Sequence, residues 1–115
     1  MSKSLSYKYR GTKGHIVSVA NSLSYLGKNF IGKEWSDISH PFQADSGHFT
    51  YQELSTGLRI RYDIAKSGKS GFSNRDHFHI LNPNATGTSD MYLDKNGNPV
   101  KKNSRASHIL VKGDS

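Results

Sequence analysis

Apolar residues recur along this chain at two different periods, and the change of period divides it into two halves. In HIVSVANSLSYLGK, Ile16, Val19, Leu23 and Leu26 follow one another at intervals of three, four and three. That is the spacing of one helix face, and Gly27 closes it. The second half alternates instead. HFTYQEL (48 to 54) and LRIRYDI (58 to 64) are joined by Ser55-Thr56-Gly57, a three-residue connection whose glycine suits a hairpin. Within the second run, Leu58, Ile60, Tyr62 and Ile64 share one face and Arg59, Arg61 and Asp63 the other. A further alternating run sets Phe78 and Ile80 toward a core and His77 and His79 away from it. Asn96-Gly97 marks a tight turn between two short extended pieces, and RASHILV (105 to 111) reads as a last strand. A short turn of helix is expected over 35–38, stopped by Pro41, and residues 1–13 form a basic, partly extended segment anchored by Tyr7 and Tyr9.

The pattern predicts one α+β domain spanning residues 1–115, with one or two N-terminal helices packed on a twisted antiparallel sheet of four to five strands. One sheet face packs on the helix. The other, carrying Arg59, Arg61, His77 and His79, is expected to face solvent.

Composition sharpens this picture. Hydrophobic residues make up 33% of the 115, and eleven glycines imply much loop. One Trp, six Tyr and five Phe nevertheless supply enough large side chains for a core. The net charge of +7, from 16 Lys and Arg against 9 Asp and Glu, is spread along the chain and points to a polyanionic partner. No cysteine is present, which excludes disulfides and thiolate metal sites. No apolar run approaches the roughly 18 residues of a membrane span, so no membrane partner is expected.

The sharpest candidate chemistry is the pair His77 and His79. Two imidazoles at i and i+2 on a strand can share a metal ion, with Asp76 or His108 as further ligand. They can equally be half-exposed structural histidines, or an acid–base pair working near imidazole's pKa of about 6.5. Metal-free RNA cleavage needs such a pair: a base for the ribose 2′-OH, an acid for the departing 5′-oxygen, and cations for the phosphoryl charge. Arg59 and Arg61 suit the last task, because guanidinium matches phosphate with paired donors. His108 and His15 are further candidates, whereas His40 and His48 are assigned no role. Lys13, Lys66, Lys69, Arg75, Lys101, Lys102 and Arg105 are candidate contacts to a phosphate backbone. Asp94, Asn96 and Asn98 have calcium-loop spacing, but the twelfth position is Arg105 rather than Glu, so the segment is read as a hairpin turn.

Between residues 57 and 111, RDHFHILNPNATG and YLDKNGNPVKKNSRASHI resemble the C-terminal toxin domains of bacterial polymorphic toxins, which end contact-dependent inhibition, Rhs and wall-associated proteins. The nearest group is the one named for barnase, EndoU, colicins and RelE. The resemblance implies a barnase- or RelE-like helix on a twisted sheet, and cofactor-free, metal-independent RNA cleavage, often of tRNA. It implies a monomer delivered from a secreted or cell-surface effector into the cytoplasm of target bacteria, and a cognate acidic immunity protein. Arg59, Arg61, His77, His79 and His108 fall in the resembling segments, and KGHI resembles a segment of some relatives that lifts His15 among the catalytic candidates.

Overall fold

The structure is a computed structural model that describes residues 9–68 and 71–112. Tyr7 and Lys69 lie outside the described residues. Helix α1 (Lys13–Leu26) begins where the Thr12 side chain accepts the His15 N–H, 3.1 Å away. It ends at Gly27, whose φ of 57° and ψ of −141° are open mainly to glycine. A Cβ at Gly27 would also stand 3.1 Å from the Tyr62 hydroxyl and 3.3 Å from Val111, so the helix stop and the close approach to the sheet need the same residue.

Among the described residues seven short strands follow: β1 (Trp35–Asp37), β2 (His48–Glu53), β3 (Arg59–Asp63), β4 (His77–Leu81), β5 (Tyr92–Leu93), β6 (Pro99–Val100) and β7 (Ile109–Leu110). They form one antiparallel sheet in chain order from β1 to β6. The second edge of β4 is shared, with β7 beside His77 and Phe78, and β5 beside Ile80 and Leu81. The α+β architecture expected above is the one observed, with more strands than four or five. Among the described residues no helix is long and apolar enough to cross a membrane.

The core lies between helix and sheet. Ile16, Val19, Ala20 and Leu23 of α1 meet Leu58, Ile60, Tyr62, Phe78 and Ile80, with Trp35, Tyr51, Leu93, Ile109 and Val111 around them. The alternation predicted for β3 and β4 therefore holds through Tyr62 and Ile80. Ile64 departs from it: β3 ends at Asp63 and leaves Ile64 exposed.

Three local expectations are corrected. Trp35–Asp37 is a strand rather than a helical turn, because it pairs with Tyr51–Glu53 on β2. Pro41 does not stop a helix but starts one, α2 (Pro41–Asp45), where its missing N–H is no loss at the first turn. The β2–β3 loop has four residues, 54 to 57, between the bonded pair Glu53 and Leu58, rather than three: the Glu53 N–H donates to the Leu58 carbonyl just before β3, and His48 falls opposite Asp63. The Asp94 carboxylate accepts the Asn96 and Asn98 N–H groups, so that loop is the expected hairpin turn between β5 and β6.

Candidate functional site

On the sheet face away from α1, the register sets polar residues in rows. His48 of β2, Asp63 of β3 and His77 of β4 form one row; Thr50, Arg61 and His79 form the next. Asp63 is the centre. Its Oδ1 accepts from His48 Nδ1 at 2.7 Å and from Arg61 Nε at 3.1 Å. Its Oδ2 accepts from Arg61 Nη2 at 2.9 Å and lies 3.0 Å from His77 Nε2 and 3.4 Å from His79 Nε2. Burial would raise the Asp63 pKa, but His77, His79, Arg61 and His48 together hold it far below the usual carboxylate range.

The expectation that His77 and His79 stand on an open surface is overturned: they are 6% and 2% exposed. Three rings cover them, one from the two-residue strand β5 and two from segments without strand periodicity. Tyr92 lies 4.8 Å from the His79 ring; His108 lies 4.6 Å from His79 and 5.2 Å from His77; Phe72 stacks on His108 at 4.3 Å. His108 arrives there because residues 105–107 form a tight 3-10 turn instead of extending the last strand. The Ser104 carbonyl holds that turn by accepting from the Ser107 N–H, the Ser107 hydroxyl and His108 Nδ1 at 3.2, 2.7 and 2.8 Å.

These contacts push the pKa values of the imidazoles in different directions. His77 Nδ1 donates to the Arg75 carbonyl at 2.9 Å while Nε2 faces the Asp63 carboxylate, so both ring nitrogens face acceptors. Burial opposes its charge, but Asp63 and the Arg75 carbonyl outweigh that and raise its pKa above the usual value. His108 spends Nδ1–H on Ser104 and keeps the Nε2 lone pair; burial and neighbouring His77 lower its pKa despite the Ser104 bond. Burial lowers the His79 pKa as well, and Asp63 only partly offsets it.

The structure thus gathers Arg61, His77, His79 and His108, with Arg59 two residues before Arg61 on the same strand face. His15 is not among them. It lies on the helix side of the sheet, where Nε2 meets buried Glu53 Oε1 at 2.6 Å. Asp76 is committed elsewhere, its Oδ1 accepting the Ala65 N–H. Two members of the cluster were not foreseen, Asp63 and His48. The alternation had already placed Asp63 on the right face, but its pairing with His48 depends on the loop length.

His108 and Phe72 also line a cleft of about 700 Å³ between α1 and the β7 region. Arg75, Lys95, Arg105 and Lys112 line it too, against the single carboxylate of Asp94. Of the expected backbone contacts, Arg75 and Arg105 therefore reach this cleft. Lys101 and Lys102 are exposed outside its lining, Lys66 is half-buried, and Lys13 Nζ donates to Asn98 Oδ1 at 2.8 Å. No protein-family model, curated protein or solved structure matches this chain.

Proposed function

We propose that this chain is a toxin ribonuclease that cleaves RNA, tRNA among its substrates, without a metal ion. One observation carries the reading: His108, whose pKa is lowered, lines a cation-rich cleft and stands 5.2 Å from buried His77, whose pKa is raised. Neighbouring titratable groups pushed in opposite directions divide the work of base and acid.

In this reading the RNA backbone lies along Arg75, Arg105, Lys95 and Lys112. His108 Nε2 takes the proton of a ribose 2′-OH, and the 2′-oxygen attacks the adjacent phosphorus. His77 gives its proton to the departing 5′-oxygen, leaving a 2′,3′-cyclic phosphate. Arg61 has N–H groups beyond those on Asp63, and its half-exposed side chain can direct them at the phosphoryl oxygens. Asp63 keeps His77 charged and Arg61 in place; His79 fills the floor beneath. The Phe72–His108 stack must part to admit the leaving oxygen to His77, a movement of two half-buried side chains. A basic cleft of this kind is blocked most readily by carboxylates that mimic phosphates, which fits an acidic immunity protein as partner.

The test is incubation of purified protein with RNA in EDTA. Cyclic-phosphate ends are expected, and cleavage only on addition of metal, or none at all, overturns the mechanism. The rate should also trace a bell against pH. It rises as His108 loses its proton below about pH 6.5 and falls as His77 loses its own above that value. A flat profile from pH 5 to 9 would remove the acid–base assignment.

Arg75→Ala and Arg105→Ala are each expected to weaken binding to RNAs of any sequence, and to reduce the slope of log K against log salt by about 0.7–0.9 per residue. An unchanged slope in both variants would place the backbone elsewhere.

A further inference from the structure

We infer that His77, His79 and His108, with Asp63 beside them, form a Zn2+ site whose occupation silences the acid–base pair. The binding stands on the geometry alone; the silencing rests on the ribonuclease reading.

His79 is the starting point. It is 2% exposed; its Nδ1 has no hydrogen-bond partner, and its Nε2 has only the 3.4 Å approach of Asp63 Oδ2, short of a well-formed hydrogen bond. Buried polar atoms are nearly always satisfied, so an imidazole so poorly partnered asks for a further occupant. Its neighbours are arranged to supply one. One ligand nitrogen from each of His77, His79 and His108 lies within 4.8 Å of the others. His77 and His108 each donate Nδ1–H to a backbone carbonyl, of Arg75 and Ser104, and so keep Nε2 for the cluster. That outer bond is what fixes the tautomer and the ring direction of metal-binding histidines.

The spacings agree with a tetrahedral ion. Metal–ligand bonds of about 2.0–2.1 Å put neighbouring ligand atoms about 3.3–3.4 Å apart. Asp63 Oδ2 stands 3.0 Å from His77 Nε2 and 3.4 Å from His79 Nε2. Among the three imidazoles the spread reaches wider than that edge, so the rings close by up to about 1.4 Å on binding. Half-exposed His108, carried on a short turn, is the ring free to move. Imidazole donors select zinc over magnesium or calcium. The Arg61 guanidinium on Asp63 works against a dication, which makes the site exchangeable rather than permanent. An ion held there takes the His108 lone pair that accepts the 2′-OH proton, and replaces the proton that His77 delivers.

The full chain, stripped with EDTA and desalted, is titrated with Zn2+ against a chromogenic chelator. One ion per chain is expected, with affinity reduced roughly hundredfold or more in His79→Asn and in His108→Gln. Circular dichroism of both variants in EDTA reports whether they fold. Because His108 sits on a half-exposed turn, its variant keeps the test decisive if the His79 variant does not fold. Co2+ in place of Zn2+ should give the visible bands of a tetrahedral site. Binding as tight in a folded variant as in the parent, or no stoichiometric binding at all, overturns the site. RNA cleavage should fall in proportion to Zn2+ occupancy; cleavage unchanged or raised at full occupancy overturns the silencing. Absence of cleavage in EDTA would instead count against the ribonuclease reading and leave the binding titration to decide the site.

Discussion

His108→Ala should lower RNA cleavage by about 10²–10⁴-fold, the usual contribution of a positioned acid or base, with the fold intact. The size follows from position. His108 joins the histidine cluster to the basic cleft, through rings 4.6 Å and 5.2 Å away on one side and the cleft lining on the other. Its loss removes the half-exposed imidazole that lines the cleft and keeps its Nε2 uncommitted. The fold tolerates the change because the Ser107 N–H and hydroxyl still close the turn on the Ser104 carbonyl when the His108 Nδ1 bond is lost. His40→Ala, at the exposed cap of α2, is the control and should keep the parent rate. The measurement is initial rate on a defined RNA in EDTA, alongside survival of cells expressing each variant. A His108→Ala protein that cuts within tenfold of the parent, or still kills, removes this residue from the chemistry. Survival of those cells with RNA binding unchanged would separate an enzyme from a mere binding module.

The largest effect on stability is expected from Asp63→Asn, which should destabilise the protein by about 3–5 kcal/mol, the range for breaking a buried ion pair from one side. The carboxylate is 3% exposed and faces Arg61, His48, His77 and His79 at once. An amide of the same shape leaves the Arg61 cation without its counter-charge and removes the carboxylate that raises the His77 pKa. The pH dependence has a definite sign on each side. The Asp63 pKa is depressed in the fold, so its contribution is present above its unfolded value of about 4 and declines as pH falls below that. The His77 pKa is raised, so its contribution is full below about 6.5 and is lost as pH rises through the higher folded value. The parent's advantage over Asp63→Asn should therefore be greatest between about pH 4 and 6.5. Urea unfolding at a series of pH values measures it. A difference under about 1 kcal/mol throughout would show that the cluster does not hold the sheet together.

Much of this architecture can be read from periodicity, because each legible element satisfies a local rule and a burial rule at once. Ile16, Val19 and Leu23 share a helix face and also fill the core; Ile60, Tyr62, Phe78 and Ile80 alternate and are also buried. The same alternation brings Arg61, Asp63, His77 and His79 onto one face. What escapes is whatever depends on pairing rather than period. Trp35–Asp37 is a strand only because β2 is there to receive it. His48 meets Asp63 only because the loop has four residues, and a one-residue slip turns every side chain over. The burial of the histidines is illegible for another reason. It comes from Phe72 on one 3-10 turn, His108 just after another, and Tyr92 on a strand of two residues, all too short to show a period.

The two ends of the sheet have a consequence for self-association. A bare strand edge is a template on which another chain can add a strand, and repeated addition makes fibres. Here the first strand in the row is three residues long and ends in Asp37, while the last is two residues long and begins with Pro99, which has no N–H to offer. The longest strands, β2, β3 and β4, lie inside the row with both edges covered at least in part. Polymerisation through backbone pairing therefore finds little purchase at either margin.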